Sequence, residues 1–167
     1  MARTEMPASL TMVPLADRPA LVPVVAGYLV SEWGGSSRDR TRAEIEAGLL
    51  TRLQIEVPPI AFVAIEASRS VGTASLKVQE VSERPQYQSW LGAVFVPPEE
   101  RRRGIGSGLV RNVAQVAGAL GIERLYLSTR SSQRLHRCLG WTEPEQLAIG
   151  GRQAVIIQRC LGRTAAS

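Results

Sequence analysis

The sequence predicts a single mixed α/β domain built on one central sheet. Three observations carry this. Two segments before Pro58-Pro59 repeat their apolar residues at helical spacing, and the segments after it read as strands. The order of elements is strand, two helices, three strands, helix, strand, helix, hairpin, the pattern of a sheet covered by helices. With 167 residues, 44% hydrophobic and 21% charged, the chain suffices for one core, with loose ends expected at 1–7 and 162–167.

Taken in order, "SLTMVPL" alternates as a first strand. Asp17 is the expected N-cap of a helix whose stripe is Leu21, Val25, Tyr28 and Leu29, and which Gly34-Gly35 ends. "RDRTRAEIEAGLLTRL" is the second helix, with Ile45, Leu49, Leu50 and Leu53 on one side. "IAFVAIEA", "VGTASLKVQ" and "SWLGAVFV" form an antiparallel meander, with Gly72 and "ERPQY" near its turns. A helix is expected from Ser107 to Leu120, capped by Gly121. "RLYLST" is a strand, "SQRLHRCLGW" a short helix ending at Gly140, and "LAIGGRQAVIIQR" a hairpin turning at Gly150-Gly151.

The net charge is +5, and Lys77 is the only lysine among 20 basic residues. Such an excess favours acidic partners, although a solvated surface accounts for it equally. No basic stripe interleaved with aromatics, helix-turn-helix or zinc pattern points to nucleic acid. Two cysteines, Cys138 and Cys160, give no disulfide framework and fit a reducing cytosol. "MARTEMPASL" lacks the apolar core of a signal peptide, and "ALVPVVAGYLV" has about half of the ~20 residues that span a bilayer. One histidine and two distant cysteines supply no metal site. A cytoplasmic protein bound to neither membrane nor nucleic acid is expected.

The stretch "VFVPPEERRRGIGSGL" (94–109) concentrates the chemistry. A strand ends at Val96 and a helix begins near Ser107, so the first helical amides lack internal partners. Glycines ahead of them let successive N–H groups converge on an anion, and a diphosphate suits such a concavity. Arg101, Arg102 and Arg103 add phosphate donors. Walker A is excluded because its Gly-Lys-Ser/Thr is missing. The dinucleotide fingerprint is excluded because its third glycine is Leu109. A tight turn with a solvated basic rim is the competing explanation of these residues taken alone.

Val94, Val96, Pro98, Arg101, Gly104, Gly106 and Leu109 together resemble the acetyl-CoA signature of the GCN5-related N-acetyltransferase (GNAT) superfamily. About thirty residues on, "RLHRCLGW" resembles that family's second signature, and the likeness spans residues 8–160. It implies a mostly antiparallel sheet flanked by helices and splayed at the cofactor-binding strands. It implies that the Val94–Phe95–Val96 backbone pairs with pantetheine. The amides of Arg102, Arg103, Gly104, Ile105, Gly106 and Ser107 would hold the pyrophosphate, and Arg102 or Arg103 would reach the 3′-phosphate. The expected reaction is direct attack of a primary amine, of a small molecule or peptide N-terminus, on the thioester of acetyl-CoA, by a monomer or homodimer.

Two departures from the family pattern bear on the chemistry. The family's usual general-acid tyrosine is here His136, the only histidine, which is either that acid or a structural residue. The fourth-strand carboxylate is absent, with Trp90 and Gly92 at its place, and Glu80 or Glu83 acting through water are the candidate bases. For the acceptor, "WGGSSRDRTR" supplies Trp33, Arg38, Arg40 and Arg42, either as a lid for an acidic amine or as a solvated loop. An acyl-CoA-binding sensor without turnover is the alternative function.

Overall fold

The computed structural model describes residues 9–33, 40–129, 140–149 and 151–161. Its sheet has seven strands: β1 (Thr11–Pro14), β2 (Ile60–Glu66), β3 (Arg69–Lys77), β4 (Trp90–Phe95), β5 (Arg124–Thr129), β6 (Thr142–Ile149) and β7 (Arg152–Cys160). They lie in the order β1-β2-β3-β4-β5-β7-β6. Every neighbouring pair is antiparallel except β4 and β5. Helices α1 (Val22–Trp33) and α2 (Arg42–Leu50) cover one face of the sheet and α3 (Ile105–Ala119) the other.

The alternation of β2 builds both cores. Ile60, Phe62 and Ala64 point to α3, where they meet Val71, Leu76, Leu91, Leu109 and Val113. Ala61, Val63 and Ile65 point the other way, to Val25, Leu29 and Leu49 of α1 and α2. Leu109 is fully buried. Truncating such a leucine costs about 2–5 kcal/mol, a large part of a domain's stability. Among the described residues no helix is long and apolar enough to cross a membrane.

Local signals explain the boundaries. The chain between β1 and α1 forms two 3-10 turns, and Asp17 lies in the first of them rather than capping α1. Pro19 and Pro23 supply no N–H for a continuous helix, so α1 starts at Val22 with Pro23 in its first turn, where a missing donor costs nothing. Helix α2 starts at Arg42 because Thr41 caps it with a full capping box, and it ends at Leu50, before Leu53 of the expected stripe. The Thr41 hydroxyl accepts from the Glu44 amide, and the Glu44 carboxylate accepts from the Thr41 amide. Gly121, at φ +82°, ends α3 as expected and donates to Gly118.

The β2–β3 hairpin turns on Ala67 and Ser68, both at positive φ (48° and 64°), with Glu66 and Arg69 paired beside them. Gly72 lies inside β3. A β-carbon there would be 3.0 Å from Leu109 Cδ1 and 3.1 Å from the Phe95 carbonyl, so glycine lets α3 approach the sheet. The expected short helix, from Ser132 to Gly140, falls largely outside the described residues. The terminal hairpin is present, and its first strand begins at Thr142, earlier than the apolar pattern marks.

Candidate active site

The site begins where the sheet comes apart. β4 and β5 run parallel and share one register pair, Trp90 with Tyr126, supported by the Tyr126 amide donating to Ser89 O at 3.1 Å. Beyond Trp90 the strands part, and among the described residues the β5-facing edge of Leu91–Phe95 has no ladder partner. On its other edge β4 carries a bulge: Thr73 pairs with Phe95 and Ser75 with Gly92, so Ala93 and Val94 have no register partner. Ala93 stands at φ +53° within it. Bulges re-aim backbone groups, and unpaired strand groups away from water need donors and acceptors of their own.

The same strand feeds the arginine–glycine loop. Arg102 (φ +64°) and Gly104 (φ +80°) are both left-handed, and α3 opens at Ile105, two residues earlier than the sequence suggests. Gly108 is the first amide to bond within the helix, to Gly104 O at 3.0 Å. The amides of Ile105, Gly106 and Ser107 therefore form the unbonded first turn, and the left-handed residues before them turn the loop into a nest. Gly104 needs its conformation. Gly106 does not: a β-carbon on it would meet only Val96 Cγ2, at an ordinary 3.8 Å. The protein itself leaves room for a side chain there, so nothing in the fold requires the bare backbone. The concavity fits a diphosphate in donor set and charge.

The three arginines divide their tasks. Arg101 folds back, its Nε donating to Val96 O at 2.8 Å and its guanidinium 5.8 Å from the Phe95 ring centroid. The Val96 carbonyl is thus already occupied. Arg103 pairs with Glu66 (2.6 Å) and with Glu100, and Glu100 pairs in turn with Arg69 at 2.5 Å. Its guanidinium is held by carboxylates, so Arg103 braces the loop instead of extending toward a 3′-phosphate; its amide stays in the nest. Glu66 and Arg69 flank the β2–β3 turn, so this network ties the loop to that hairpin. Hydrogen bonds from Arg69 and then Arg103 outweigh burial and hold the Glu100 carboxyl below its ordinary value. Arg102 is exposed, like its two neighbours, but among the described residues it forms no ion pair.

On the α1/α2 face, next to the bulge, lies the polar centre. Gly92 pairs with Ser75, and a β-carbon on Gly92 would be 3.3 Å from Glu80 Oε2 and 3.1 Å from Lys77 Cδ. A carboxylate from the end of β3 thus occupies the space above the fourth strand that a glycine leaves open. Lys77 Nζ holds it at 2.5 Å. Burial, only partly offset by Glu80, pushes the Lys77 ammonium below its ordinary pKa. Arg52, at the end of α2, reaches Ser75 Oγ at 3.3 Å. Glu83 is exposed and accepts from the Ser82 hydroxyl at 3.0 Å, so the two candidate bases are separated by environment.

The remaining expected residues are scattered. Trp33 ends α1 and is 42% exposed. Arg42 bonds Pro23 O (2.9 Å) and Glu46 (3.1 Å), stitching α2 to α1 rather than facing a ligand. Arg38 and His136 lie outside the described residues. Pattern reading missed Lys77, Arg52 and the Glu66–Arg103–Glu100–Arg69 network; the one available signal was that Lys77 is the sole lysine. Loop 78–89 is held over β6 by Arg84 and Tyr87, both bonded to Glu145, which walls this face. A separate cavity of about 730 Å³, lined by Gln86, Gln88, Arg124, Tyr126 and Cys160, opens at the other ends of β4 and β5.

A family model described as the acetyltransferase (GNAT) family matches residues 27–141. The chain belongs to the GNAT acetyltransferase family. No curated protein matches it. Solved structures share the fold of this GNAT protein. An N-acetyltransferase from Staphylococcus aureus aligns with TM-score 0.74 at 18% identity, over 93% of this chain and 100% of the other. An acetyltransferase from Salmonella typhimurium, solved with acetyl-CoA, gives 0.70 at 20%, over 94% and 96%. A phosphinothricin acetyltransferase from Sinorhizobium meliloti, in complex with acetyl-CoA, gives 0.68 at 22%, over 97% and 93%. The mostly antiparallel, splayed sheet expected from the resemblance is the one observed. Among the described residues no group of three or more metal-ligating side chains is assembled.

Proposed function

We propose that this GNAT protein moves an acetyl group from acetyl-CoA to a primary amine. The observation that carries the proposal is the meeting of two unsatisfied backbone surfaces: the open edge of β4 beyond Trp90, and the nest at Ile105–Ser107. A pantetheine arm carries amides that can join the first as an added strand, and the pyrophosphate suits the second. Arg102 is the side chain assigned to the outer phosphate. Family membership and the two acetyl-CoA-bound neighbours support the same ligand.

When bound, acetyl-CoA supplies a thioester whose acyl carbon an amine can attack. The chain's own part is to position, to polarise and to move protons. The amides of the bulge at Ala93–Val94 are the donors assigned to the carbonyl oxygen. Glu80, oriented by Lys77, accepts the proton that the amine must lose, directly or through one water. His136 is assigned the proton delivered to the departing sulfur. An α-amine, with pKa ~7.7–8.0, is already partly neutral near pH 8 and needs less from Glu80 than a lysine at ~10.4.

Glu80 beside Gly92 supports catalysis over acyl-CoA sensing, because the fourth-strand gap is filled. The deciding experiment pairs calorimetry with thiol release. Binding of acetyl-CoA with amine-dependent release of free thiol is expected. Binding without release across an amine panel identifies a sensor, and no binding rejects the cofactor assignment. In the same assay His136→Ala is expected to lower kcat; an unchanged kcat makes His136 structural.

A further inference from the structure

The polar centre beside Gly92 is unbalanced in charge. Arg52 and Lys77 point into it, and Arg40 is close enough to act electrostatically on both. Among the described residues, the carboxylate facing these three cations is Glu80, and Lys77 holds it. Arg52 is half-buried, yet among the described residues it forms no ion pair, and its side-chain hydrogen bond goes to a neutral hydroxyl at a long 3.3 Å. Other basic side chains here are treated differently. Arg84 has Glu145, and Arg103 has both Glu66 and Glu100. A guanidinium withdrawn from water without a carboxylate carries a desolvation cost that an incoming anion would relieve. Burial is the largest influence on Arg52 and pushes its pKa down, with Glu80 opposing it only in part.

Position gives this imbalance a meaning. Arg52 bonds Ser75, Ser75 is in register with Gly92, and Glu80 and Lys77 lie over Gly92. The cation is therefore one side chain away from the base assigned to the acceptor amine, on the same face of the sheet. We infer that Arg52, with Arg40, binds an anionic group of the acceptor, so that the substrate is a primary amine bearing a carboxylate or comparable oxyanion a few bonds from its nitrogen. The inference rests on the proposed function and names its substrate class. Guanidinium and carboxylate match as a fork of paired donors and acceptors, which fixes orientation as well as affinity. A polycationic amine is disfavoured by the same charges. The anion is supplied either by a free amino acid or by an acidic first residue of a peptide.

Two measurements test this separately from acetyl-CoA binding. In the first, glutarate is titrated into wild-type protein and Arg52→Gln, with acetyl-CoA titrated in parallel as a check on the cofactor site. Saturable glutarate binding, weakened about tenfold or more in the variant, is expected. Absent binding, or equal binding by both proteins, overturns the inference. In the second, kcat/KM is compared for free amino acids against their amides, and for dipeptides beginning with Asp against Asn. A preference of about tenfold or more for the acid that collapses in Arg52→Gln is expected, and the arm showing it identifies the source of the anion. Equal use of acid and amide, or turnover confined to uncharged or polycationic amines, overturns it. Loss of acetyl-CoA binding in wild type counts instead against the proposed function.

Discussion

The carboxylate of Glu80 lies 3.3 Å from the place a β-carbon on Gly92 would take, with Lys77 donating to it at 2.5 Å. The two residues are twelve positions apart in the chain and adjacent only because the β3–β4 connection folds back over the bulge. Glu80→Gln is expected to lower kcat by ~10²–10⁴-fold while leaving acetyl-CoA affinity in place. Glu83→Gln, on the exposed loop, is expected to keep kcat near the wild-type value. Steady-state kinetics on both variants decides, and a fully active Glu80→Gln removes the base assignment.

Gly106→Ala separates stability from binding. The site has ordinary space for a methyl group, and alanine favours helix over glycine by up to ~1 kcal/mol. The variant is expected to match or exceed wild type in denaturant unfolding. Its acetyl-CoA affinity is expected to fall on the order of tenfold, because the methyl group stands where the ligand approaches. An unchanged Kd would show that the diphosphate does not lie against this turn.

The network at Glu100 predicts a pH dependence. Arg69 and Arg103 hold the folded Glu100 carboxyl below its ordinary value of 4.5, and Arg84 followed by Tyr87 does the same for Glu145. A carboxyl whose folded pKa is depressed takes up protons in the unfolded chain first. Its contribution is complete above about pH 4.5 and is lost as pH falls toward the lower folded value. Urea midpoints measured between pH 6 and 3 are expected to fall in that window, and less steeply for Glu100→Gln. That variant is also expected to bind acetyl-CoA more weakly at neutral pH, since Arg103 then loses a brace. Parallel stability curves for the two proteins would contradict the assignment.

The β2–β3 turn is strained in a correctable way. Ala67 and Ser68 both occupy the left-handed region, which two-residue hairpin turns fill best with Asn-Gly. Replacing the pair, Ala67→Asn with Ser68→Gly, is expected to stabilise the domain by ~1 kcal/mol, or about 2–4 °C in Tm. A calorimetric scan showing no rise would place the strain elsewhere.

Much of the site was legible because its signals are local. Gly104 and Gly106 at a strand-to-helix junction mark a turn that leaves the first helical amides open, and the structure moves the helix start by two residues only. Thr41 and Glu44 form a capping box that was visible three residues apart and passed unread. The tasks of the arginines were not legible. Arg101, Arg102 and Arg103 are consecutive and chemically alike, yet Arg101 bonds Val96, Arg103 is held by Glu66 and Glu100, and Arg102 forms no ion pair among the described residues. Glu66 is thirty-seven residues from Arg103, and no local pattern connects them.

By itself the sequence determined the order of the described helices and strands, the meander, the glycine turn ahead of α3 and the family, because periodicity, capping and turn chemistry act over a few residues. Only the tertiary structure decided which charges meet. The single-pair contact of β4 with β5, the bulge at Ala93 and the return of loop 78–89 bring Glu80, Lys77 and Arg52 to one place. Electrostatic interaction depends on distance through space, and folding sets that distance.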